Sequence, residues 1–201
     1  MTNSDMVYDR SEAIIFHKTR EAYGGLSNMA GGYPLLVEGV RILTSEALYQ
    51  ACRFPHLIEV QQLIIAQASP MAAKMKSKPY RAQSRQKWDA VRVDIMRWCL
   101  KIKLAQHRIQ FGNLLLSTGE KAIVEQSRKD RFWGAIPDRD GKSLWGANVL
   151  GQILTEIRNQ LRRSPSSFDQ ILPPKIENFK LLGRVVGAIP TETVSVVSSG
   201  R

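Results

Sequence analysis

The sequence predicts an α+β domain that is predominantly helical. From residue 45 onward most long apolar runs repeat with helical spacing, whereas residues 14–43 hold only short extended runs broken by glycines. Size supports a single unit, because 201 residues with 43% apolar and 23% charged side chains suffice for one sizeable core and fall short of two independent ones.

The opening MTNSDMVYDRSE is polar and mildly acidic, so residues 1–13 are expected to form an N-terminal extension. The runs IIF and PLLVEGVRIL flank the glycine-rich stretch YGGLSNMAGGY, which predicts a small antiparallel sheet with one long polar loop. Residues 45–54 predict a first helix, capped by Thr44 or Ser45 and stopped by Pro55. A second is expected over 57–68, with Leu57, Val60, Ile64 and Ala68 on its buried face. Ser69 and Pro70 open a third. The longest runs over 87–106, with Val91, Ile95, Trp98 and Ile102 turned inward and Arg92, Arg97, Lys101 and Lys103 left in water. Helices near 110–117 and 119–128 follow. The last, over 148–162, is capped by Asn148. Its stripe of Val149, Leu150, Ile153, Leu154, Ile157 and Leu161 opposes Gln152, Glu156, Arg158 and Arg162. Beyond it, Ser-Pro and Pro-Pro breaks predict a dispensable extension over 164–201, with TETVSVVSSGR either an edge strand or loose. The main domain is then expected over 14–163.

The net charge of +11 is unevenly placed. Residues 74–108 carry eleven Lys/Arg against two acids, a local excess of nine, while residues 1–73 carry five against seven. Such a field suits nucleic acid or another polyphosphate, and equally a solvated helix surface. Cys52 and Cys99 lie in apolar helical contexts and read as small buried hydrophobes, as expected in a reducing compartment. No leader pattern and no apolar run of about 18 residues occurs, which predicts a cytoplasmic protein without a membrane partner.

The chemistry-bearing residues are neither metal ligands nor cofactor loops. His17, His56 and His107 are far apart and lack partners at ligand spacing, and no phosphate-loop, dinucleotide or nucleophile-elbow motif is present, so neither metal nor cofactor is expected. Instead Glu46, Tyr49, Gln50 and Arg53 fall on one face of the first helix, with Glu46 in its first turn. That glutamate reads either as a dipole-matched acid or as a carboxylate beside a polar cleft. The run DRFWGAIPDRDGKSLWGAN gathers Trp133 and Trp145 with glycines and charges, either to stack on a planar base or to plug the core.

Six blocks in order carry a family resemblance: YGGLSNM (23–29), TSEALYQACRF (44–54), ASPMAAK (68–74), WDAVRVDIM (88–96), STGEKAIVEQSRKDRFWG (117–134) and LWGANVLGQILTEIRNQL (144–161). On these the chain resembles the NADAR superfamily, the group related to the bacterial YbiA-like N-glycosidases, over residues 14–162. The resemblance implies a single YbiA-like domain that hydrolyses N-glycosidic bonds. It implies one of two substrate classes: ADP-ribose on guanine bases, chiefly in DNA, placed there by a modifying toxin; or the ribosylamino-phosphate intermediates of riboflavin synthesis. The first is favoured, with ADP-ribosylated DNA as ligand and a DNA ADP-ribosyltransferase toxin as functional counterpart. A non-catalytic ADP-ribose or nucleic-acid binding module stays open, because Ala47 stands at the motif histidine.

By position, the resemblance implies Glu46 as the catalytic carboxylate and Ser27, Asn28, Trp88, Asp89, Asp130, Trp133, Gly134 and Asn148 as ligand-binding or site-shaping residues. Asp89 or Asp130 is expected to protonate the leaving nitrogen. Tyr49, Arg53 and Arg20 are added as substrate contacts, the two arginines for phosphate. Arg53 stands where lysine is commoner, and a guanidinium cannot act through a free amine.

Overall fold

The computed structural model describes residues 5–191, and two of its helices start at side-chain caps that the sequence supplies. Thr44 Oγ1 accepts from Ala47 N at 3.2 Å and opens α1 (Ser45–Ala51). After α2 (Ile58–Ile65), Ser69 Oγ accepts from Ala72 N at 3.1 Å and Pro70 fills the first turn of α3 (Pro70–Ser77). The 19-residue α4 (Trp88–Gln106) buries Ile95, Trp98 and Ile102, then α5 (Arg108–Leu116) turns back along it. The stripe of α6 (Val149–Arg163) is buried along its whole length. Cys52 and Cys99 are free and buried. No helix among the described residues is long and apolar enough to cross a membrane.

The strands are short and distributed over several small sheets. β1 (Met6–Asp9) pairs antiparallel with β7 (Ser143–Gly146), and β7 pairs with β6 (Ile136–Pro137). β3 (Leu35–Val37) and β4 (Val40–Ile42) form the antiparallel hairpin expected in 14–43. β2 (Ala13–Phe16) does not join that hairpin; it runs parallel to β5 (Ala122–Glu125), with Phe16 opposite Glu125.

β5 itself corrects the helix expected near 119–128. Thr118 bonds back to Leu115 O and Gly119 adopts φ 59°, which ends α5. Ile123 then faces the main core while Val124 faces a second cluster with Ala135 and Leu144. A segment apolar on both faces is stable as a covered strand. The expected extensions also prove to be packed. Residues 6–9 supply β1, and Phe168, Ile171, Phe179, Leu181, Val186 and Ile189 enter the main core. Residues 192–201, and with them most of TETVSVVSSGR, lie outside the described residues.

Three polar residues leave their expected places. Asn148 adopts φ 48° and makes no side-chain cap; its amide bridges Ile123 O (2.8 Å) and Glu125 N (3.0 Å) instead. Arg158 is buried and donates to Thr118 Oγ1 and Lys121 O, both at 2.8 Å. Lys103, expected in water, has 0% exposure; its Nζ donates to Gly25 O (2.5 Å) and Ser27 O (3.0 Å). The rings of Tyr33 and Phe111 lie 4.2 and 4.3 Å from that nitrogen. Burial pulls its pKa well below the usual lysine range, while the two carbonyls and two ring faces favour the ammonium.

Two stability outcomes follow from this packing. A chain ending at Arg163 loses six buried apolar side chains and bares the core surface they cover, each worth roughly 1.5–3 kcal/mol. That rivals the whole net stability of a domain, about 5–15 kcal/mol, so calorimetry should show no cooperative unfolding transition; a melt within a few degrees of full length would refute the packing role. Lys103→Met removes the donor from two carbonyls and should cost about 2–4 kcal/mol in denaturant unfolding. An unshifted midpoint would mean that the clamp carries no stability.

Candidate functional site

Helix α1 and the loop before β3 build the centre of the site together. Glu46 N donates to Asn28 O at 3.0 Å, and Asn28 Nδ2 returns a 2.5 Å bond to Glu46 Oε2. One helical turn on, Gln50 Nε2 donates to Glu46 Oε1 at 2.8 Å, while Ser77 Oγ from the end of α3 donates to Gln50 Oε1 at 2.8 Å. Both carboxylate oxygens are therefore held by N–H donors in a residue only 3% exposed. Burial raises the Glu46 pKa; Lys74, the two amides and Arg81 act against it.

The facing wall starts at the end of β5. Burial, the Asp130 carboxylate and the Glu46 carboxylate push Glu125 up to about 7, against Lys74. After it, Ser127 Oγ accepts from Asp130 N (3.0 Å), and Asp130 Oδ1 accepts from Phe132 N and Trp133 N, both at 2.9 Å. This turn aims two rings at the site. Trp133 meets Tyr49 edge-on with centroids 5.7 Å apart, Tyr49 lies 5.2 Å from Trp88, and Arg53 stacks 4.6 Å over Trp88. Arg92 lies 3.8 Å over Phe132. Burial and Glu46 keep the Tyr49 phenol protonated.

Between these walls lies a cavity of about 550 Å³. Glu46, Glu125 and Asp130 face into it together with five cations, Arg53, Lys74, Arg81, Arg92 and Arg128. Among the described residues no group of three or more His, Cys, Asp or Glu is placed to hold a metal ion.

Of the residues expected from sequence, the cavity gathers Glu46, Asn28, Tyr49, Arg53, Trp88, Asp130 and Trp133. The others do not line it. Asp89 is corrected as a catalytic acid: its side chain is 85% exposed and pairs with Arg92 at 3.4 Å in the first turn of α4. Arg20 is exposed away from the cavity, and Trp145, outside it too, lies under Arg131 at 4.3 Å. Ser27, Gly134 and Asn148 act as frame. Ser27 Oγ accepts from Met29 N at 3.1 Å, a Cβ on Gly134 would sit 2.5 Å from Glu125 O, and Asn148 anchors β5. Sequence reasoning missed Glu125, hidden in a segment expected as helix, although it stands in the quoted block beside Ser127. It also missed His17, whose Nδ1–H donates to Gln126 O at 2.8 Å, and the cavity roles of Lys74, Arg81 and Arg92.

Comparison with known proteins identifies the family. Residues 15–162 match the NADAR domain family. The N-glycosidase YbiA of Escherichia coli is 34% identical over 151 residues, 74% of this chain and 88% of that protein. An N-glycosidase of Nostoc punctiforme is 32% identical over 74% of this chain and 92% of its own length. A riboflavin biosynthesis protein of Vibrio vulnificus is 30% identical over 92% of this chain, which spans 50% of that longer protein. The NMR structure of E. coli YbiA superposes with a TM-score of 0.63 at 31% identity, covering 78% of this chain and 92% of the other. On these matches the chain belongs to the NADAR family, as an N-glycosyl hydrolase.

Proposed function

We propose that this hydrolase releases ADP-ribose from guanine bases in DNA, cutting the bond between ribose C1 and a base nitrogen. The supporting observation is a desolvated carboxylate, Glu46, held by two amide donors in a cavity with five cations. As the C1–N bond breaks, positive charge develops on the sugar, and a fixed anion in a low-dielectric pocket stabilises it. Glu46 takes a proton from the attacking water, whose oxygen bonds to C1. Glu125, carrying its proton near neutral pH, gives it to the departing nitrogen. Arg53, Lys74 and Arg81 on one side, with Arg92 and Arg128 from the other segments, exceed what one phosphate needs and suit a diphosphate. Trp88 and Trp133 offer aromatic surface for a base. With arginine at position 53 no imine forms there, so that side chain can only bind charge.

The names of the riboflavin-related relatives favour a second reading, in which the substrate is a ribosylamino-phosphate. Incubation with ADP-ribosylated guanine DNA, unmodified DNA and the riboflavin intermediates in parallel separates the two. On the first reading the chain works opposite a DNA ADP-ribosyltransferase and reverses its product. Release of base from the riboflavin intermediates alone would reverse the assignment, and ligand binding without turnover would mark a silent binding module.

Glu46→Gln keeps the shape and removes the charge. It should raise the barrier by roughly 3–6 kcal/mol, about two to four powers of ten in single-turnover rate, with ADP-ribose binding nearly unchanged; the new NH2 meets the amide of Asn28 or Gln50, so the fold should lose about 1–3 kcal/mol of stability and stay folded. A dipole role alone would cost about 0.3–1 kcal/mol, so an unaltered rate removes Glu46 from catalysis. Glu125 sets the pH dependence. Its proton is present below about 7 and lost above, so kcat should fall as pH rises through about 7. In Glu125→Gln the residual rate should lose that alkaline limb. A limb that persists in the variant belongs to another group.

A further inference from the structure

A second cavity, of about 710 Å³, adjoins the first across the Arg53–Trp88 stack. The partition is thin. Arg53 Nε donates to Ser84 Oγ at 2.7 Å and Arg85 N donates to Arg53 O at 2.9 Å, so the Ser84–Lys87 loop that lines the second cavity is bonded to a wall of the first. Lys87 faces the second cavity and the next residue, Trp88, faces the catalytic one. The outer wall comes from residues 175–180, beyond the 15–162 family match.

Its chemistry is that of an anion site. Arg85 is only 9% exposed; Nη2 donates to Glu177 O, but Nη1 is buried without a hydrogen-bond partner among the described residues. A buried guanidinium nitrogen left unpaired is costly, and an incoming oxygen anion removes that cost. Lys87, Lys175 and Lys180 line the same cavity and form no ion pair among the described residues. Four cations against the single carboxylate of Glu177 leave a local charge of 4 − 1 = +3. A lone small metabolite in the catalytic cavity has no use for a second basic pocket next door, whereas a polynucleotide carries further phosphates beyond the reacting residue.

We propose that the second cavity is a phosphodiester subsite, in which Arg85, Lys87 and Lys175 hold a backbone phosphate of the strand flanking the nucleotide in the catalytic cavity. The inference rests on the DNA reading above and extends it to how the strand is held.

The test separates the two. Binding of an unmodified single-stranded oligodeoxynucleotide is followed by fluorescence anisotropy across a salt titration, with the wild type and with Lys87→Gln combined with Lys175→Gln. Both side chains are exposed, so the fold should tolerate the pair. Loss of both lysines from that one phosphate should weaken binding about tenfold and lower the slope of log K against log salt by about 0.7. Single-turnover cleavage of ADP-ribosylated guanosine, which has no flanking strand, should be unchanged in the same variant. Unchanged oligonucleotide affinity and slope would overturn the subsite, as would inorganic phosphate displacing the oligonucleotide with equal affinity, which would mark a pocket for the free anion. Failure of the hydrolase reading looks different: no ADP-ribosylated guanine is cleaved, yet oligonucleotide binding still depends on the two lysines.

Discussion

The Glu46 carboxylate depends, at one remove, on a buried ammonium. Lys103 rises from α4 and ties down the carbonyls of Gly25 and Ser27. The residue that follows, Asn28, is thereby fixed in place to offer Glu46 both its main-chain carbonyl and its side-chain amide. Gln50 closes the other side of the carboxylate and is itself held by Ser77. A single chain of polar contacts thus runs from α4 through the glycine-rich loop to α1 and α3. Charged donors make the strongest hydrogen bonds in such a chain, about 1.5–3 kcal/mol each. Its members are buried, so each link is costly to leave unmade.

The opposite wall is held by close backbone approach. Asn148 spans Ile123 O and Glu125 N with one amide, which sets the end of β5 against the start of α6. That approach leaves no room for side chains: a Cβ on Gly151 would fall 2.0 Å from Ile123 O, and one on Gly134 2.5 Å from Glu125 O. Glu125 is placed by a strand and two glycines, Glu46 by hydrogen bonds from amides. Their environments differ accordingly, since only Glu46 has both oxygens saturated by donors that favour its charge.

The helical frame was legible because its signals are local. Thr44 and Ser69 announce two helix starts, and the stripe of α6 needs only its own 15 residues, roughly four turns. Glu46 stood out for the same reason, as one of four polar residues on a single face of α1. What could not be read depends on partners far away in the chain. Arg158 is buried because Thr118 and Lys121, 40 and 37 residues away, accept its protons. The basic segment read as one surface field, yet the structure disperses it. Lys74, Arg81 and Arg92 enter the cavity lined by Glu46, Arg97 and Arg108 pair with Asp94, Glu156 and Asp169, and Lys103 goes into the core. Asp89 misled because a first-turn acid that serves the helix dipole and one that serves a substrate look alike in sequence. Glu125 was hidden by the apolar AIV beside it, whose strand state is decided only by pairing with residues 13–15.

That parallel pairing reaches beyond geometry. β2 and β5 must find one another across a long stretch of chain, as the 109-residue separation of His17 and Gln126 at their ends shows. Contacts of that kind form late, after local helices have collapsed. The packed segment through Ile189 joins later still during synthesis, because it follows β5 and α6 in the chain. The two carboxylates therefore meet only after β5 has been made and has paired with β2. A chain stopped short of β5 holds Glu46 without the wall that faces it across the cavity.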